Sequence, residues 1–171
     1  CCMSQQQFNS ERRPLRVAIV GSGPAGFYAL QALFKAPDLN VQVDMYDRLP
    51  VPFGLVRSGV APDHPKIKNV MALYERLAER PEFRFFGNVE YGKDVTLADF
   101  RRLYDQVVFA SGAQADRLLG IPGENLVGVH SAQRFVAWYN GDSGYSRLDL
   151  DLSAESVAVI GVGNVAADVA R

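Results

Sequence analysis

The stretch LRVAIVGSGPAGFYALQALFKA, residues 15–36, limits the possible folds more than any other part of the chain. Leu15 to Val20 is a short apolar run ending in a glycine turn, the pattern of a buried strand. Ala25 to about Lys35 carries Phe27, Leu30, Leu33 and Phe34 at helical spacing, and Pro37 follows as a stop. Val41, Val43 and Met45 alternate with polar residues, which predicts a second strand ending near Asp47. The result is β-α-β, with the glycines Gly21, Gly23 and Gly26 at the first turn.

That spacing has a chemical purpose. Gly21 permits the strand-to-helix turn, Gly23 lets the backbone approach a pyrophosphate, and Gly26 lets the helix pack on the strand. The helix N-terminus, near Ala25, offers unpaired N–H groups to an anion. Asp47, about 20 residues beyond the loop, is placed to accept hydrogen bonds from a ribose diol. Its negative charge repels a 2′-phosphate, so this first site suits FAD or NAD and not NADP.

The last residues, VAVIGVGNVAADVAR, repeat the gesture. Val157 to Ile160 reads as a strand, and Gly161, Gly163 and Ala166 form the GxGxxA variant of the loop before a helix. A second copy points to a second nucleotide. The position that tells NAD from NADP would lie beyond Arg171.

Between the loops, residues 48–65 hold four prolines and two glycines, a long loop too apolar for comfortable disorder. KIKNVMALYERLAER then predicts a helix with Ile67, Val70, Met71, Tyr74 and Leu77 on one face. Phe83 to Phe86 and Val89 to Tyr91 suit short strands. Thr96 is placed to cap LADFRRLY, with Asp99 completing a capping box. Gln106 to Ala110 reads as another buried strand, and Ser131 as the cap of AQRFVAWYN.

Composition excludes several classes. Of the 171 residues 48% are apolar and 22% charged, with a net charge of −1, so no charge excess points to nucleic acid or an anionic membrane. No apolar run approaches the roughly 20 residues of a membrane span. The two cysteines, Cys1 and Cys2, are adjacent, which offers neither a zinc site nor a dithiol motif. Met3 is read as the natural start, residues 1–14 as a disordered polar tail, and the cytoplasm as the default compartment.

The motifs GSGPAGFYA, VDMYDRLPVPFGLVRSGVAPDHPKIKNV, FFGNVEYGKDV, GIPGE, VAWYNG and GVGNVAADVAR closely resemble the adrenodoxin reductase type of ferredoxin–NADP reductase, from about Leu15 to Arg171. PFGLVRSGVAPDHP is the most specific of them. The resemblance implies an α/β, Rossmann-like FAD/NAD(P)-binding fold of two-nucleotide flavoproteins, here truncated. The expected segments are 15–110 for the FAD domain and 111–171 for a linker and the start of an NADP domain.

It further implies that electrons pass from NADPH through FAD to a ferredoxin-type iron–sulfur protein in the parent enzyme, the piece alone being inactive. The resemblance puts Gly21, Gly23, Ala25 and Gly26 at the FAD pyrophosphate. Asp47 falls where the family usually has Glu, one methylene longer. Leu55 and Tyr91 match positions lining the flavin nucleotide, and Val162, Gly163, Asn164 and Val165 match the NADP pyrophosphate loop. Ser111 and Gly112 fall in a strand-end motif of two-nucleotide flavoproteins, or simply end a strand. His64 and Asp168 read either as a charge pair bridging the two domains or as a loop histidine and an ordinary helix acid. The chemistry of the isoalloxazine asks for no nucleophile, base or metal cluster, and no residue is expected to act as one. The alternatives are another two-nucleotide flavoprotein, of the thioredoxin reductase or glutamate synthase small-subunit type, and a non-catalytic FAD-binding module or gene fragment. The missing CxxC disfavours dithiol chemistry of the thioredoxin reductase type, and the PFGLVRSGVAPDHP loop discriminates against the glutamate synthase type.

Overall fold

Parallel pairing organises the first part of the chain. The structure, a computed structural model, describes residues 13–62, 64, 69–113, 115–142, 144–145, 147–148 and 150–171. Strands β1 (Leu15–Val20), β2 (Val41–Tyr46), β3 (Phe83–Phe86) and β4 (Gln106–Phe109) form one sheet in the order β3-β2-β1-β4, every pairing parallel. Strands in such a sheet are covered on both faces, which is why β1 is apolar at every position but Arg16. Val17, Ala18 and Ile19 are fully buried.

Helices α1 (Pro24–Lys35) and α3 (Val70–Ala78) supply the aromatic packing of one face. There Phe27 stacks on Tyr74 at 4.5 Å between ring centres and meets Phe83 at 6.2 Å. The helix α4 (Leu97–Leu103) covers the other face, with Phe100 packed on Ala18 and Val20. Its start is the expected capping box: Thr96 Oγ1 accepts from the Asp99 N–H while the Asp99 carboxylate accepts from the Thr96 N–H.

That second face also buries a charge. Asp44, directly opposite Arg84 in the β2–β3 ladder, is 4% exposed and takes both Arg84 Nε and Nη2 at 2.7 Å. Tyr104 Oη donates to the same carboxylate, and Tyr46 Oη lies 2.6 Å from Tyr104 Oη. Burial, and then the bond to Asp44, push the Tyr104 phenol above its usual range. The alternation in β2 therefore places Gln42 in solvent but Asp44 in a buried ion pair.

The chain divides into two compact units, Cys1–Gly54 with Asn69–Gly112, and Leu55–Lys68 with Ala113–Arg171. The first holds the sheet. In the second, α5 (Ala132–Tyr139) and α6 (Asn164–Ala170) pack together, with Ser131 capping α5 as expected. The short helix α2 (Gly54–Ser58) begins at the division and interrupts the predicted loop.

Several expectations change. Residues 89–91 form no strand: Tyr91 and Val95 make one isolated bridge, because Glu90 takes bonds from Lys93 and Asp94 that turn the chain back on itself. β4 is an edge strand, not a buried one, and Phe109 is half exposed. Val157 to Ile160 is not a strand, since no described strand pairs with it, and Val157 and Ile160 are exposed. Ile67 and the polar tail to residue 12 lie outside the described residues, while Arg13, counted with that tail, is held by a two-bond pair with Asp105. No helix among the described residues is long and apolar enough to cross a membrane.

Candidate dinucleotide-binding site

The first glycine loop joins β1 to α1. Gly21 has φ +106°, and a Cβ there would lie 2.3 Å from the Ala110 carbonyl oxygen, so two separate constraints require glycine. A Cβ on Gly26 would lie 2.2 Å from the Gly21 carbonyl oxygen, which explains the close approach of helix and strand. Gly23 is different. Its backbone is extended, at φ −80° and ψ −173°, and a Cβ would meet nothing within 4 Å. Neither backbone conformation nor protein packing demands glycine at that position. Pro24 at the first helical position gives up an N–H that the helix would not use, leaving the N–H groups near Ala25 and Gly26 for an anion.

Ser22, between the glycines, is fully buried and completely engaged. Its N–H and its Oγ donate to Asp47 Oδ2 at 2.8 and 2.6 Å. Its carbonyl accepts from the Phe53 N–H at 2.9 Å. Asp47 Oδ1 accepts from the Leu49 N–H at 2.9 Å. The carboxylate expected to meet a ribose therefore also braces the loop.

Phe53 was not singled out in the sequence. It holds φ +89°, rare for a bulky residue, with its ring buried at 5.2 Å from Phe27 and 5.8 Å from Tyr74. Gly54 follows at φ +47°, so close to the loop that its Cβ would lie 2.9 Å from Gly23 Cα. The PFG of the long motif thus clamps the glycine loop. No local signal marks Phe53, since Val51, Leu55 and Val56 make the surrounding loop equally apolar.

Tyr91 is half exposed, parallel to Phe100 at 6.1 Å and edge-on to Phe109 at 4.9 Å. Ser111 and Gly112 follow β4, Gly112 at φ +67°. Leu55 lies in α2, in the other compact unit, largely exposed, its carbonyl accepting from the Gly59 and Val60 N–H groups.

The second loop repeats the first in its backbone. Gly161 has φ +143°, and Gly163 caps α6 at φ −83° and ψ 175° with open space where its Cβ would be. A Cβ on Gly161 would meet the Ala166 Cβ at 3.6 Å, an ordinary contact, so at this turn the backbone conformation alone requires glycine, whereas at Gly21 packing requires it as well. Val162 and Val165 are exposed, and Asn164 begins the helix.

His64 and Asp168 do meet, at 3.0 Å between Nε2 and Oδ1. Both residues lie in the second compact unit. Arg171 Nη2 donates to the same oxygen at 2.5 Å. The His64 hydrogen bond, and then its charge and that of Arg171, hold the Asp168 carboxyl below its ordinary range.

The sequence matches the pattern of pyridine nucleotide-disulphide oxidoreductases over residues 15–171. The chain belongs to that family. Among curated relatives, the mitochondrial NADPH:adrenodoxin oxidoreductase of Arabidopsis thaliana is 52% identical over 171 residues, 99% of this chain and 35% of that protein. The NADPH-ferredoxin reductase FprA of Mycobacterium tuberculosis is 53% identical over 163 residues, 93% of this chain and 36% of that one. The solved structure of M. tuberculosis FprA in complex with NADPH superposes with a TM-score of 0.87 at 52% identity, covering 93% of this chain and 36% of that one. The chain thus spans about a third of the length of the relatives it matches.

Proposed function

We propose that this chain binds FAD through its first loop and NADP through its second. The enzyme it corresponds to would pass electrons from NADPH to a ferredoxin-type iron–sulfur protein. The observation that carries the FAD reading is the open cradle at Gly23, at the head of α1, with the Asp47 carboxylate fixed beside the same loop. When bound, the flavin supplies the exchange between two-electron and one-electron chemistry. The protein's own work is to bind and orient. Gly21, Gly23, Ala25 and Gly26 would receive the FAD pyrophosphate, and Asp47 its ribose. Leu55 and Tyr91 would line the flavin nucleotide, while Val162, Gly163, Asn164 and Val165 would receive the NADP pyrophosphate. His64 with Asp168 would hold a proton-bearing group near the second loop. Residues 15–110 are assigned to FAD binding and 111–171 to the start of the NADP part.

The relatives' names, NADPH-ferredoxin reductase and NADPH:adrenodoxin oxidoreductase, support the electron path. Titration of the purified chain with FAD, followed by flavin fluorescence, tests the first site. Gly23→Val fills the cradle without touching protein atoms at its Cβ, so it should abolish binding while the far-UV circular dichroism stays unchanged. Equal flavin binding by Gly23→Val and parent would overturn the assignment.

A further inference from the structure

We infer that Ser22 is a positioning residue for ribose recognition, orienting the Asp47 carboxylate toward the adenosine ribose of the dinucleotide; this rests on the FAD reading of the first loop. An aspartate beside a loop can turn about its Cβ–Cγ bond, and a free carboxylate would present either oxygen in many directions. Here both donors of Ser22 converge on Oδ2, at 2.8 Å from N and 2.6 Å from Oγ, while the Leu49 N–H takes Oδ1 at 2.9 Å. A carboxylate offers about four lone-pair sites. Three are used by the protein, and the remaining one lies on Oδ1, its direction fixed by the two bonds that pin the opposite oxygen.

The serine is itself immobile. It is fully buried, and its carbonyl is tied to the Phe53 N–H independently of its side chain. Removing the hydroxyl therefore frees the carboxylate more than the loop. The pyrophosphate contacts, made by the backbone near Gly23 and Ala25, should survive, and only the recognition of the sugar should weaken.

The experiment compares the affinity of FAD with that of its analogue carrying 2′-deoxyadenosine, in the parent and in Ser22→Ala. A charge-assisted hydrogen bond of about 1.5–3 kcal/mol corresponds to a preference of roughly 10- to 150-fold for FAD in the parent. In Ser22→Ala this preference should fall at least fivefold, with the affinity for the deoxy analogue nearly unchanged. A change confined to folding would weaken both ligands equally and leave the ratio alone. Should Ser22→Ala not fold, Ser22→Cys fills the site with a slightly larger side chain that is a much weaker donor, and the same loss of preference is expected. An unchanged ratio in a folded variant overturns the inference and leaves the FAD reading standing. A larger ratio also overturns it, since Ser22 would then compete with the ribose for the carboxylate. Absence of FAD binding by the parent overturns both.

Discussion

Phe53 keeps a backbone conformation that costs a bulky residue on the order of 1–3 kcal/mol. It can do so because its ring is enclosed by Phe27 and Tyr74 and its N–H is bound to the Ser22 carbonyl. This predicts an inversion of the usual order of substitutions. Phe53→Ala should lose about 3–5 kcal/mol from the vacated ring site while keeping the strain. Phe53→Gly loses the same ring but relaxes the backbone, and should be the more stable of the two by about 1 kcal/mol. Urea unfolding of both variants decides it: glycine below alanine would show that no strain is held there. Gly21 and Gly26 could be read from the sequence because a turn and a close approach of helix and strand each demand glycine. Ser22 and Phe53 could not, since their roles depend on which loop folds over which, and nothing in local spacing brings residue 53 to residue 22.

Elements were legible where their ends carry their own chemistry. Thr96 with Asp99 announced α4, and Ser131 announced α5. The segments at 89–91 and 157–160 looked equally apolar, but a strand exists only through its partner, and no residue within either segment encodes one. The join between α4 and β4 supports a pH prediction. Asp105 accepts from Arg13 Nη1 and Nη2 and from the Arg16 N–H, tying the start of β1 to the entry of β4. The Arg13 guanidinium, and then the Arg16 N–H, pull its carboxyl down to about 2. An unfolded aspartate titrates near ~3.9. A depressed value in the fold means stability that is complete above the unfolded value and lost as pH falls through the folded one. Asp105→Asn should therefore be less stable than the parent by a constant margin from pH 7 to about 5. That margin should close between about pH 4 and 2, as measured by urea midpoints across the range. A margin independent of pH would mean that Asp105 contributes by shape alone.

Across the whole molecule, protection from solvent is unevenly distributed. β1 and β2 are buried, whereas Leu118, Leu119, Leu126, Val127, Val157 and Ile160 are exposed. Hydrogen exchange should accordingly be slowest at the amides of β1 and β2 and fast over 118–129 and 155–163, and the reverse ranking would contradict the sheet described here. The α/β class followed from a single β-α-β pattern, and the parallel order of the strands is consistent with it. The division of the chain at residue 55 was not legible, because it falls inside an apolar motif with no change of composition. The ion pair between Asp44 and Arg84 carries a further meaning at this scale. These two residues are direct partners across β2 and β3, and a slip of one position sends Arg84 to the opposite face. The carboxylate would then be enclosed with Tyr104 as its main donor, at a cost on the order of 3 kcal/mol or more. An apolar sheet has no such means of recognising a wrong alignment, since one valine buries as well as the next. Asp44 supplies it: a pairing that is out of step leaves the carboxylate without its guanidinium, so one alignment is singled out by charge where shape alone would accept several.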